Sequence, residues 1–273
     1  MRLINTPRVA FAVRRTVLSA LLLLLSIVFW SRATQVGAQT PYLVGVANRS
    51  EPSALAPPPA GALPGYHLTY VNDFNQSKFP KGWYPYHGVA GGIPTDRFSV
   101  SHDLIAQGIL RLKTYQDPAN GNRWTTAGIC QCGRPFTYGA VFVRSRVTGV
   151  GVNSVELLWP NNNQWPPEID FNEDLYKNNL TTATVHWTGN QTDFHILRIN
   201  MLNWHTWGVI WSPTTILFTV DGRPWHSLPI TSDIPHIPMN VDFEQVVKCP
   251  SVAYCPTQPS ALLVDWVAEY QPN

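Results

Sequence analysis

The sequence predicts an all-β fold, a sandwich or jelly roll of antiparallel sheets, and three observations carry that prediction. From Tyr66 onward, short apolar-rich runs are separated by Gly, Pro, Asn and Asp. Several runs alternate apolar and polar residues, as a half-buried strand does. No stretch of 12 or more residues holds a clean helical period with caps.

The elements follow in chain order. Residues 1–38 read as an export signal. Four arginines precede the 14-residue apolar stretch Val17–Trp30, which is shorter than the ~20 residues a bilayer span needs. Val36-Gly37-Ala38 offers a small-residue cleavage pattern, and an uncleaved signal anchor is the competing reading. Residues 39–65, with Pro57-Pro58-Pro59 among Ala, Gly and Ser, read as a linker. Residues 66–273 then read as one domain. Its expected strands include Gly108–Thr114, Gly139–Val147, Ser154–Trp159, Thr182–Trp187, Trp204–Trp211, Thr215–Val220 and Ala261–Tyr270, with Asp221-Gly222 as a hairpin turn.

Composition narrows the function classes. Charged residues make up 13% and aromatics 12%, a balance that suits sugar binding, where aromatic faces stack on pyranose rings. Without residues 1–38 the chain keeps 14 of its 19 Lys and Arg against 17 Asp and Glu, a net charge of −3. That leaves no electrostatic footprint for nucleic acid. Four cysteines fit an oxidising compartment. Cys249 and Cys255 bracket a short loop suited to a local disulfide, whereas Cys130 and Cys132 stand too close in sequence for an easy bridge; three connectivities remain open. A zinc site is not expected, because no ligand spacing supports one.

The segment Glu168-Ile169-Asp170-Phe171-Asn172-Glu173-Asp174 holds four acids in seven residues. On a regular strand Glu168 and Asp170 share a face, while Ile169 and Phe171 point into a core. Glu173 is out of phase by one residue. A β-bulge at Phe171-Asn172 brings it back to the face of the other two. Retaining glycoside hydrolysis uses two carboxyl groups about 5–5.5 Å apart, one as nucleophile and one as acid and then base. A solvated acidic edge or a calcium-binding loop is the plainer alternative for such a cluster.

Glu168-Ile169-Asp170-Phe171-Asn172-Glu173 resembles the E-x-D-x-x-E motif of glycoside hydrolase family 16, the laminarinase, lichenase and agarase group. Leu158-Trp159-Pro160, Gln164-Trp165-Pro166, Thr184-Val185-His186-Trp187, the run Trp204–Trp211, Phe218–Gly222 and Val264–Tyr270 resemble the flanking family segments in order. The resemblance covers about residues 66–271. Pro166-Pro167, Ile210 and Asn72 depart from the usual pattern. None of them removes a catalytic group.

The resemblance implies a β-jelly-roll sandwich of two antiparallel sheets with a concave substrate groove. It implies Glu168 as nucleophile, Asp170 as assisting carboxylate and Glu173 as general acid/base. His186 is expected beside them. Trp159 and Trp165 are expected to flank the groove, Trp83 and Trp187 to extend it, and Arg144 to face it. No cofactor is implied; some family members hold a structural calcium, for which Asp265 is a weak candidate here. The expected protein is a secreted, monomeric, retaining endo-β-glycanase acting on a polysaccharide, β-1,3- or β-1,3-1,4-glucan, with no nucleic-acid or membrane partner once the signal is removed. A transglycosylase on the same triad and a non-catalytic carbohydrate-binding jelly roll are the rival readings.

Overall fold

The computed structural model describes residues 53–90, 93–188, 191–228, 231–249 and 255–273. The expected signal 1–38 and the first part of the expected linker lie outside the described residues, as does the tip of the Cys249–Cys255 loop.

Of eighteen strands among the described residues, sixteen form two main antiparallel sheets. The back sheet runs β16 (Arg223–Leu228), β15 (Ile216–Val220), β14 (His205–Trp211), β9 (Gly139–Val147), β18 (Ser260–Pro272), β6 (Ile109–Asp117) and β5 (Asp103–Ala106). To it β1 (Tyr66–Asn72) adds on β18, and β7 (Arg123–Thr125) on β6. The front sheet runs β13 (Gln191–Arg198), β12 (Leu180–Trp187), β11 (Glu168–Asp174), β10 (Asn153–Pro160), β17 (Met239–Val246), β8 (Gly128–Cys130) and β2 (Tyr84–Pro85). A small hairpin pairs β3 (Gly88–Ala90) with β4 (Ile93–Phe98).

Alternation explains the sandwich. Val141 and Val143 of β9, Trp207, Val209 and Trp211 of β14, and Val264 and Val267 of β18 point inward from the back sheet. Leu158, Ile169, Phe171, Val185, Val241 and Phe243 meet them from the front. Each large side chain so buried contributes about 1.5–3 kcal/mol. Asp221 and Gly222, both at positive φ, close the β15–β16 turn that the sequence marks.

The bulge in β11 is present. Pairing with β12 runs Asp170 to Thr184 and then Glu173 to Thr182, a shift that leaves Phe171 and Asn172 facing inward together. Phe171 joins the core, but Asn172 is polar and almost fully buried. A buried polar chain receives it. Thr181 donates its hydroxyl to Asn172 Oδ1 at 2.6 Å, Asn172 bonds Glu156, and the Ser145 hydroxyl donates to Glu156 Oε1. The bulge is stable because its extra residue finds partners inside the sandwich.

Residues 53–65, expected as linker, instead pack on the outer face of the back sheet. That face carries Phe142, Trp266 and Tyr270, which need cover from water, and Leu55 and Leu63 supply it. The segment forms no regular ladder, so its carbonyls are free to accept side-chain donors. Trp266 Nε1 donates to Leu55 O at 2.8 Å, and the Tyr270 hydroxyl lies 3.1 Å from both Pro58 O and Pro59 O. Both cysteine pairs are bridged, Cys130–Cys132 with Cα atoms 5.1 Å apart and Cys249–Cys255 with 5.2 Å. The first corrects the expectation that a C-x-C is too close. Its strand ends at Cys130 and the chain turns at once, which holds the Cα separation within disulfide range.

Candidate active site

The outer face of the front sheet carries the acids. Glu168 and Asp170 project there because their neighbours Ile169 and Phe171 fill the core. The bulge turns Glu173 to the same side, where Thr182 Oγ1 donates to its Oε2 at 3.1 Å and Asn153 Nδ2 approaches its Oε1 at 3.4 Å. Each acid has a direct cross-strand partner on β12: His186 for Glu168, Thr184 for Asp170 and Thr182 for Glu173.

His186 Nε2 stands 3.3 Å from Asp170 Oδ2 and 3.9 Å from Glu168 Oε2. Trp165 Nε1 donates to Glu168 Oε2 at 2.7 Å. Trp165 precedes two consecutive cis peptide bonds, Trp165–Pro166 and Pro166–Pro167, in the loop entering β11.

Burial first, and then the neighbouring Asp170 charge, push the Glu168 carboxyl up; the nearby His186 and the Trp165 N–H oppose the rise. Asp170, fully enclosed, is raised by burial and by Glu173, and it hydrogen-bonds Glu168. Two such carboxyls titrate as a pair and hold one proton into the neutral range. We assign that proton to Asp170, the more deeply buried, leaving charge on Glu168, which has the donors.

A pocket of about 660 Å³ opens beside Glu168 toward β17 and β8. Trp159, Trp165 and Asn163 form one wall, Tyr86, His87, Val89 and Phe98 the other, and Asp242 and Glu244 the floor. The sequence reading missed this floor. Asn240-Val241-Asp242-Phe243-Glu244 alternates polar and apolar residues, as the catalytic strand does, and that was the available signal. In register, Leu157 lies between Asp170 and Asp242, and Val155 between Glu173 and Glu244. The Tyr86 hydroxyl donates to Asp242 Oδ2 at 2.7 Å. Gly128 lets that ring lie close, since a Cβ there would stand 2.7 Å from it. Burial and the Glu168 and Asp96 carboxylates push Glu244 up to about 8. Burial and the Glu244 charge likewise raise Asp242.

On the other side of the acids, Phe194 and Ile196 of β13 stand opposite Thr184 and Thr182 and share their outward face. They are 58% and 54% exposed, unusually solvent-open for large apolar side chains. The sequence reading did not include them either.

Three residues expected on the groove stand elsewhere. Trp83 is buried in the core, edge-on to Phe74, tilted against Phe243, and donating Nε1 to the Tyr70 hydroxyl at 2.8 Å. Trp187 follows His186 on β12, so strand alternation turns it inward against the core. Arg144 lies on β9 of the back sheet and points outward, with Nη1 3.5 Å from Asp221 Oδ1 and 3.3 Å from the Thr206 hydroxyl. Asp265, also on the back sheet, accepts a hydrogen bond from Ser53 and lies near the Arg144 guanidinium. Calcium takes six to eight oxygens, of which Asp265 alone would supply one or two.

The acid beneath the bulge gives a testable consequence. Burial raises Glu156 from an ordinary 4.5 to about 8, with the Ser145 and Asn172 bonds opposing. The folded carboxyl keeps its proton up to about pH 8, whereas the unfolded one loses it above 4.5. Its contribution is therefore complete below pH 4.5 and is lost as pH rises toward 8, at about 1.4 kcal/mol per pH unit at most. Glu156→Gln, which cannot ionise, is expected to flatten the fall of melting temperature between pH 5 and 8. An unchanged slope would show that Glu156 is already ionised in the fold.

The family described as Glycosyl hydrolases family 16 matches residues 96–267. No curated protein matches the chain. Among solved structures, the laminarinase from Rhodothermus marinus aligns with a TM-score of 0.69 at 20% identity, over 77% of this chain and 99% of that one. The catalytic domain of an endo-1,3-beta-glucanase (laminarinase) from Thermotoga petrophila aligns at 0.66 and 17%, over 76% and 98%. A beta-1,3-1,4-glucanase (lichenase) from a mouse hindgut metagenome aligns at 0.63 and 20%, over 75% and 99%. At these identities the likeness establishes a shared fold.

Proposed function

The chain belongs to glycosyl hydrolases family 16 and is a glycoside hydrolase, and on that premise we propose that it is an exported endo-β-glucanase cleaving β-1,3- or mixed-linkage β-1,3-1,4-glucan with retention of anomeric configuration. The observation that carries the mechanism is the β11 bulge, which gathers Glu168, Asp170 and Glu173 on one face.

In the first step Glu168 attacks the anomeric carbon while Glu173 gives its proton to the departing glycosidic oxygen. Ester formation removes the Glu168 charge from the trio just when Glu173 must carry one. In the second step Glu173 takes a proton from water, the hydroxide oxygen displaces Glu168, and the trio returns to its starting charge. Asp170 holds its proton between Glu168 and His186 and so fixes the orientation of the nucleophile. Trp165 does the same from above through its N–H. The reaction draws on carboxyl groups and water alone.

Side chains flank the acids in both directions, Trp159 and Trp165 toward β17, Phe194 and Ile196 toward β13. That arrangement favours binding in mid-chain over binding at a chain end. Glucan as substrate is supported by the likeness to laminarinases and a lichenase. The apolar pair on β13 also favours holding a sugar acceptor, so transglycosylation is the second reading; oligosaccharides longer than the substrate would reveal it. Export rests on residues 1–38 and on two bridged cysteine pairs.

The test is proton NMR of laminarin and lichenan digests within the first minutes. New reducing ends are expected first as the β anomer, with the α anomer growing in by mutarotation. The α anomer appearing first would end the retaining assignment, and no new ends from either glucan would end the substrate assignment.

A further inference from the structure

We propose that Asp193, His195 and His226 form a binding site for a divalent transition metal, Zn(II) fitting best, which clamps the free edge of the front sheet to the free edge of the back sheet. The site lies away from the catalytic acids and does not depend on how their role is read.

The three side chains come from two terminal strands, β13 and β16. Asp193 and His195 pair with Val185 and Ala183 of β12, which point into the sandwich, so they point inward too. His226 pairs with Phe218, also inward, and stacks on its ring at 5.7 Å. The two histidines thus approach each other across the seam from opposite sheets, with ring centroids 3.5 Å apart. Apolar residues normally fill such a seam, as Leu197 does one step along β13. Two imidazoles and a carboxylate there are a costly choice unless something pairs with them.

Their donor atoms have ligand spacing. His195 Nε2 stands 3.3 Å and His226 Nε2 3.5 Å from one oxygen, Asp193 Oδ1, and all three atoms lie within 4.8 Å of one another. Those separations are long for hydrogen bonds, which centre near 2.9–3.0 Å. They match the edge of a zinc tetrahedron, about 3.3 Å for arms of about 2.0–2.1 Å. The rings now stack 27° from parallel, so a metal would require them to turn well apart before both lone pairs met at a common point, and His195, half exposed at the sheet edge, has room to move. Imidazole donors select zinc and its neighbours over calcium or magnesium.

The alternation along β13 links the clamp to the groove. Between and beyond the two inward ligands, Phe194 and Ile196 face outward beside the catalytic acids. Fixing Asp193 and His195 fixes the strand that carries this wall.

Calorimetric titration of the chelator-treated full-length protein with zinc chloride tests the site. One equivalent is expected to bind and to raise the melting temperature. His195→Ala and Asp193→Ala are expected to weaken binding by on the order of a hundredfold and to abolish the thermal shift. Cobalt(II) is expected to give a visible tetrahedral absorption band in the wild type and not in His195→Ala. Because His195 is half exposed, that variant should fold, and its chelated melting curve checks this. A second His–carboxylate group, Glu168, Asp170 and His186, makes His186→Asn the discriminating control. It should bind zinc normally. No binding by the wild type, undiminished binding by His195→Ala and Asp193→Ala, or loss confined to His186→Asn would each overturn the proposal.

Discussion

Glu168→Gln is expected to lower turnover of β-glucan by roughly four orders of magnitude or more while leaving the protein folded. The amide keeps the shape and accepts the Trp165 N–H bond, but it cannot form the glycosyl ester. Stability gives a second readout with a different sign. Burial raises the Glu168 and Asp170 carboxyls as a pair, so the folded state loses stability as pH climbs above the ordinary carboxyl range toward the raised one. Removing an ionisable group from this crowded set should make the variant at least as heat-stable as the wild type, most visibly on the alkaline side. A structural glutamate would behave in the opposite way. Glu168→Gly offers a chemical check, because azide can enter the space left and attack the anomeric carbon. With Glu173 intact, an α-glycosyl azide is the expected product from a β-glucan oligosaccharide carrying a good leaving group.

Glu173→Gln is expected to cost roughly three orders of magnitude on polysaccharide, and the loss should depend on the leaving group. A sugar hydroxyl leaves poorly without a proton, whereas a dinitrophenolate leaves unaided. On a dinitrophenyl laminaribioside the first step should survive and the second should not, so a burst of phenolate followed by slow turnover is expected. Thr182 and Asn153 can still bond the amide, which keeps the strand geometry unchanged. In Glu173→Ala, which opens space for it, azide should yield the β-glycosyl azide, formed by displacement of Glu168 from the ester. Equal losses on both substrates, with no burst, would remove Glu173 from the acid/base role.

Much of this was legible in the sequence, and the failures have physical reasons. The catalytic strand declares itself because its acids are dense in a charge-poor chain, and its broken phase foretells the bulge. Strands β6, β9, β10, β12, β14, β15 and β18 follow their expected runs, since each buries one face in the ordinary way. Strand β13 was hidden because its pattern is inverted, Phe194 and Ile196 facing out while Asp193 and His195 face in. Strand β17 was hidden because its acids line a pocket floor rather than a solvated face. Trp187 and His186 are adjacent on one strand, so both could never have faced the groove. For Trp83 and Arg144 the error lay in which sheet or face receives the residue, a matter of register that composition does not carry. Residues 53–65 look like linker because prolines prevent a ladder, yet their leucines and carbonyls are what the aromatic back face requires.

The most direct test of the central assignment is to trap the first intermediate. The protein is incubated with a 2-deoxy-2-fluoro glucan oligosaccharide bearing a dinitrophenyl leaving group, digested, and mapped by mass spectrometry. A single fluorinated glycosyl adduct on Glu168 is the expected result, absent from Glu168→Gln. An adduct on Glu173 or Asp170, or steady turnover of the reagent with no adduct on any carboxyl group, would contradict it.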